Sequence, residues 1–207
     1  MLLLAFDTSS AAVSVALHDG HDVVGEVQQA EAQRHGELLA PSIAEVLRDA
    51  GAGVDELTEV AVGVGPGPFT GLRVGLATAN ALGAALGIPV LGVVSLDALA
   101  AEAGNGEVVV VADARRREVY WATYAAGQRV TEPAVSLPGD VVVPSGARVV
   151  GAGAQLYPDV LSGGPPYLPS AAWLARVAVA GRTVPVQPLY LRRPDAVAPG
   201  ARKPALR

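Results

Sequence analysis

Residues 2–17 read Leu2-Leu3-Leu4-Ala5-Phe6-Asp7-Thr8-Ser9-Ser10-Ala11-Ala12-Val13-Ser14-Val15-Ala16-Leu17: an apolar run ending on an aspartate, a turn rich in hydroxyls, and an alternating run that stops before Asp19-Gly20. Strand, turn, strand is the reading, because short apolar runs bounded by turn residues form hairpins. The arrangement returns a hundred residues later. Residues 108–112 lead to Asp113, and six positions on Val119-Tyr120-Trp121-Ala122-Thr123-Tyr124 runs toward Gly127. Asp7 and Asp113 thus hold the same place in two copies of one unit.

Working outward, each copy adds a third strand, residues 23–28 and 129–137, and each closes on a strand ending in Gly-x-Gly, residues 60–65 and 148–153. Residues 37–50 form a helix in the first copy, where the second has a much shortened segment. Between the halves lie a helix over 71–86, a short strand over 89–93, and a helix from Ser95, a good N-cap with Asp97 in its first turn. A helix over 170–180 precedes an extended 185–191. An α/β chain follows, with mixed sheets and flanking helices in two tandem lobes: residues 1–104, a reduced 105–191, and a basic Pro-rich tail, 192–207.

Composition narrows the chemistry. At 51% hydrophobic the chain can build a core. It has no cysteine, which excludes disulfides, thiolate nucleophiles and iron-sulfur clusters. The apolar start lacks a basic region and meets Asp7 at once, and no run approaches the roughly 18 apolar residues of a membrane span, so a cytoplasmic, soluble protein is expected. The net charge of -5 is uneven. Residues 192–207 carry five cations against Asp195, a local +4, leaving about -9 on the body, which disfavours broad phosphate-backbone binding.

Four segments are candidates for function. Asp7, Thr8, Ser9 and Ser10 could bind phosphate or a hydrated magnesium ion, or act as turn residues bonding their own backbone. Residues 63–71 fit neither phosphate-loop template, the only lysine is Lys203, and Pro66 and Pro68 remove two N–H donors; a turn feeding a helix, with Thr70 as its N-cap, is expected. In that helix Gly71, Gly75, Ala79, Gly83 and Gly87 recur every fourth residue. This small-residue ridge suits close approach of another backbone, in its own sheet or in another chain. In residues 37–50, Leu39, Ile43, Val46 and Ala50 follow helical spacing and Leu38 and Leu47 widen the stripe, calling for a second partner inside the chain or outside it. The histidines, His18, His21 and His35, form no metal-binding pair, and there is no Gly-x-Ser-x-Gly elbow.

These segments together resemble the bacterial TsaB family, also called YeaZ. The resemblance rests on Leu4-Ala5-Phe6-Asp7-Thr8-Ser9 with Ser14-Val15-Ala16-Leu17, on residues 65–75, on Asp113-Ala114-Arg115 with Glu118-Val119-Tyr120, and on Pro188-Leu189-Tyr190-Leu191-Arg192. Two departures are visible: Pro68 stands where serine is common, and the second lobe is short. The resemblance implies an actin-like fold of the ASKHA, ribonuclease H-like class. It implies a non-catalytic scaffold for the paralogue TsaD, which transfers the threonylcarbamoyl group to the adenosine beside the tRNA anticodon, with TsaE as the ATP-hydrolysing third subunit. Leu39, Ile43, Val46, Leu47, Gly71, Gly75, Ala79 and Gly83, carried over from the family's interface helices, are the expected heterodimer contacts. Asp7, Thr8 and Ser9 are a vestigial nucleotide site. No cofactor is expected for this chain itself; ATP or ADP belongs to the interface of the complex, tRNA comes through the complex, and a homodimer is an alternative for the chain alone. The competing readings are an ATPase or small-molecule kinase using Asp7, and a peptidase, for which zinc ligands are lacking.

Overall fold

Strand β1 (Leu3–Asp7) pairs antiparallel with β2 (Val13–His18), and β2 antiparallel with β3 (Val23–Gln29). On the other side of β1 lie the parallel strands β4 (Glu59–Gly63) and β5 (Val90–Val93), giving the order β3-β2-β1-β4-β5. These features come from a computed structural model that describes residues 1–30 and 34–192; Arg193, Arg202, Lys203 and Arg207 of the basic tail lie outside the described residues.

The second sheet repeats the plan. Strand β6 (Glu107–Asp113) pairs antiparallel with β7 (Val119–Ala125), which carries the short strands β8 (Gln128–Arg129) and β9 (Ala134–Ser136) where β3 would lie. Strand β10 (Arg148–Val150) adds parallel to β6, as β4 does to β1. Where β5 would stand, the described residues offer an isolated parallel bridge from Gly164 to Val150 rather than a strand. The duplication expected from the two aspartates is therefore a duplicated sheet, with the second copy reduced.

Strand β1 reads as an unbroken apolar run because both its faces are covered. Leu4 and Phe6 face α1 (His35–Asp49) and α2 (Phe69–Leu86), joining Leu39, Val46 and Leu76 in one cluster. Leu3 and Ala5, on the opposite face by the two-residue period of a strand, meet α5 (Ala171–Val179) through Leu174, Ala175 and Ala178. Helix α3 (Ser95–Ala103) joins the lobes, with Ala98 in the second cluster and Leu96 and Leu99 packed with Val108, Val110 and Tyr124. Helix α4 (Ala152–Leu156) covers the second sheet, where Val109, Val111, Val149 and Ala154 make a small core.

Three expectations need revision. Residues 105–191 are not a self-contained lobe, because α5 packs on β1 and β2 and the closing segment lies along the first sheet. There the Val184 amide donates to the Gly92 carbonyl at 2.8 Å and the Leu189 amide to that of Val64 at 2.9 Å, covering the exposed edge of β5. Ser95 is the first helical residue of α3 rather than its cap; Val94 holds that position. Thr70 likewise lies inside α2, which Pro68 precedes, whereas Ser170 does cap α5, its hydroxyl accepting from the amides of Ala172 and Trp173. No helix among the described residues is long and apolar enough to cross a membrane.

Candidate functional site

The carboxylate of Asp7, 1% exposed, is enclosed by the turn it begins. Its Oδ1 accepts from both the amide and the hydroxyl of Ser9, each at 2.7 Å. The Ser95 hydroxyl donates to Oδ2 and itself accepts from the Gly65 amide at 3.2 Å, which explains why Ser95 does not cap its helix. A Cβ on Gly63 would overlap the same carboxylate, so the Gly-x-Gly after β4 makes room for Asp7 rather than for a phosphate. Burial pushes the Asp7 carboxyl above the usual carboxylate range; the Ser95 and Ser9 hydrogen bonds and nearby His35 pull it back part of the way.

Thr8 turns the other way, its hydroxyl donating to the Gly71 carbonyl at 2.8 Å and pinning the start of α2. His35 Nε2–H donates to the Ser10 carbonyl at 2.8 Å, so α1 also holds this loop.

Between the lobes lies a cleft of about 440 Å³, lined by Ser9, Ser10, Pro66, Pro68, Leu96, Asp113, Arg115, Gln155 and Tyr167 among others. Ser9 reaches it; Asp7 and Thr8 do not line it. Asp113 repeats the backbone bond of the Asp7 turn, its Oδ1 accepting from the Arg115 amide at 2.7 Å as Asp7 Oδ1 does from that of Ser9. Here, however, the carboxylate faces the cleft and pairs with the Arg115 guanidinium at 3.3 Å. No group of three acidic or histidine side chains among the described residues is placed to hold a metal ion.

The expected interface residues lie elsewhere than supposed. Leu39, Ile43, Val46 and Leu47 are buried in the chain's own core, where α1 packs on β2 and β3. Gly71, Gly75, Ala79 and Gly83 are buried too. Side chains built at Gly71 and Gly75 would strike Thr8, and one at Gly83 would strike Val90, so the ridge lets α2 approach its own sheet. In this folded chain the ridge is not a free surface for a partner.

What α2 turns outward is the opposite stripe: Arg73, Ala77, Asn80, Ala81, Ala84 and Ala85 are exposed, and Arg73 is the only charge on the helix. The adjoining α1 exposes Ala40, Pro41 and Ala44 beside it. At the head of this stripe the Phe69 ring, 42% exposed, stacks on Tyr190, 40% exposed, with centroids 5.1 Å apart, and the Arg73 guanidinium lies 3.6 Å from the Phe69 centroid. The sequence did carry a signal for this face. An outward helix normally alternates core residues with charges, and this one has alanines at its outward positions.

The comparisons with known proteins agree in kind. A family model described as tRNA N6-adenosine threonylcarbamoyltransferase, TsaD, matches residues 21–155. The chain is 47% identical over 197 residues to an uncharacterized protein of Mycobacterium tuberculosis, covering 94% of this chain and 93% of that one. It is 31% identical over 226 residues to the tRNA threonylcarbamoyladenosine biosynthesis protein TsaB of Escherichia coli, covering 93% of this chain and 95% of the relative. The solved structure of YeaZ from Pseudomonas aeruginosa superposes with a TM-score of 0.79 at 32% identity, over 92% of this chain and 99% of the other.

Proposed function

The chain belongs to the TsaB family, and on that premise we propose that it is the cytoplasmic scaffold subunit of a tRNA threonylcarbamoyladenosine transferase complex, docking a TsaD-type catalytic paralogue through the outer face of α1 and α2. The observation that carries this reading is the exposed face of α2, whose Ala77, Ala81, Ala84 and Ala85 leave its backbone approachable and almost uncharged. Small side chains let two helices cross closely, and an uncharged face costs little to desolvate. The Phe69, Arg73 and Tyr190 cluster adds aromatic and arginine area at one end, the residue types that most often anchor interfaces.

The cleft supports a scaffold better than an ATPase. A magnesium-nucleotide needs a carboxylate turned toward the phosphates, and the oxygens of Asp7 are engaged by Ser9 and Ser95 below the surface. Pro66 and Pro68 line the cleft without amide donors, and no lysine precedes Lys203. In this proposal ATP or ADP is kept for the interface of the assembled complex, TsaE for its hydrolysis and tRNA for the substrate of the whole.

The test is a charge placed on the outer face. Ala81→Arg is expected to leave the isolated chain folded and to weaken co-purification with the TsaD-type paralogue at least tenfold, about 1.4 kcal/mol. Unchanged association by a folded Ala81→Arg chain would exclude the α2 face. Ala79→Arg is the wrong probe, since Ala79 is fully buried and an arginine there is expected to destabilise the fold itself.

A further inference from the structure

Arg73 stands in the second turn of α2, four residues after Phe69, so helical spacing lays its side chain over that ring. The guanidinium carbon sits 3.6 Å from the Phe69 centroid, and Phe69 in turn stacks on Tyr190 with centroids 5.1 Å apart. The Nε–H of Arg73 donates to the Tyr190 hydroxyl at 3.4 Å. One contact holds the guanidinium by its face, the other by its inner nitrogen. Neither brings a negative charge to it. The outer edge of the fork, with the Nη1 and Nη2 donors, makes no hydrogen bond among the described residues.

Other arginines of the chain are matched. At the head of α1, Arg34 pairs with Glu37 at 2.8 Å, and near its end Arg48 pairs with Asp49 at 2.9 Å. Arg115, Arg129 and Arg192 each meet a carboxylate, and Arg148 and Arg182 donate to backbone carbonyls. Arg176 lies over Trp173 much as Arg73 lies over Phe69, but on α5, which covers the opposite face of the first sheet. Arg73 is exposed and pairs with no carboxylate among the described residues, in a chain whose net charge is -5.

The position of that open edge gives it a consequence. Arg73 heads the outward stripe of Ala77, Ala81 and Ala84, so a helix laid across the stripe takes water from the guanidinium as well. A cation that loses its water without gaining an anion opposes docking strongly. A guanidinium stacked on a ring keeps its donors in one plane, where a carboxylate can accept two of them at once.

We infer that the partner brings an aspartate or glutamate side chain to the outer edge of Arg73, from the helix that crosses the α1 and α2 face, and that this pair fixes the register of docking. The inference rests on the docking reading above and names the group which that face requires of its partner.

The experiment measures, by titration calorimetry, the association of the full chain with its TsaD-type paralogue for wild type, Arg73→Lys, Arg73→Gln and Arg73→Glu, with Tm as the check on folding. Arg73→Gln is expected to weaken association about thirtyfold and Arg73→Glu further. Arg73→Lys keeps the charge and loses the fork, and should lose about tenfold. In the Arg73→Glu background, changing one aspartate or glutamate of the paralogue to arginine should restore at least about tenfold, and the same change should weaken binding to wild type. Wild-type affinity in Arg73→Gln overturns the inference, as does a loss in Arg73→Glu that no acid-to-arginine change in the paralogue restores. Ala81→Arg keeps the two readings apart. Weakened Ala81→Arg with unchanged Arg73→Gln removes the carboxylate alone, whereas no change in either removes the docking face as well.

Discussion

The two aspartate turns descend from one sequence pattern and have diverged into opposite objects. At Asp7 the turn is folded inward: serine hydroxyls close on the carboxylate, Gly63 and Ser95 close over it, and α1 and α2 hold it from outside. At Asp113 the same Asx turn faces outward, its carboxylate reaching the cleft and Arg115, Arg116 and Arg117 exposed beyond the buried Ala114. A buried polar group must be satisfied by the protein, and a site offered to a ligand keeps its polar groups accessible. By that criterion the first turn is structural and the second is the one available for binding.

The largest expected effect divides them on stability. Asp7→Ala strands the Ser9 and Ser95 donors in the core and should cost about 3 kcal/mol in urea unfolding, whereas Asp113→Ala should cost less than about 1 kcal/mol. Equal costs would break the comparison. Next in size, Arg117→Gly relieves a left-handed residue and should stabilise the chain by about 1 kcal/mol, read as a higher Tm. Ser9→Gly, whose hydroxyl holds Asp7 and whose φ is not positive, should destabilise it instead.

The smallest effect is a slope with pH. Because burial raises the Asp7 carboxyl in the folded state, the folded chain holds that proton more tightly than the unfolded chain does. The stability contributed by this group is fully present below the usual carboxylate range and is lost as pH rises through its raised folded value. The unfolding free energy of wild type minus that of Asp7→Asn should therefore grow as pH falls from neutral toward that range. A flat or opposite trend would mean that the Asp7 carboxyl is not raised.

Much of this was legible in the chain. The paired aspartates, the apolar run of β1 and the two Gly-x-Gly strand ends marked a duplicated sheet, because strand periodicity and turn residues are local properties. The helix over residues 71–86 was legible too, and its glycine ridge correctly indicated close backbone approach. Which backbone approaches was not, since a ridge of small residues looks alike whether it meets Thr8 and Val90 of its own sheet or a helix of another protein. The same ambiguity holds for Leu39 and Val46, whose helical stripe is buried in the chain's own core.

The sequence by itself determined the family and the repeated strand plan, because these follow from patterns repeated along the chain. Only the tertiary structure decided which face of α2 is outward, that Ser95 serves Asp7 instead of its helix, that α5 returns to the first sheet, and that three consecutive arginines after Asp113 are held left-handed. Each of those depends on what lies across a gap of tens of residues, where hydrogen-bond satisfaction and packing choose among options that local preference leaves equal.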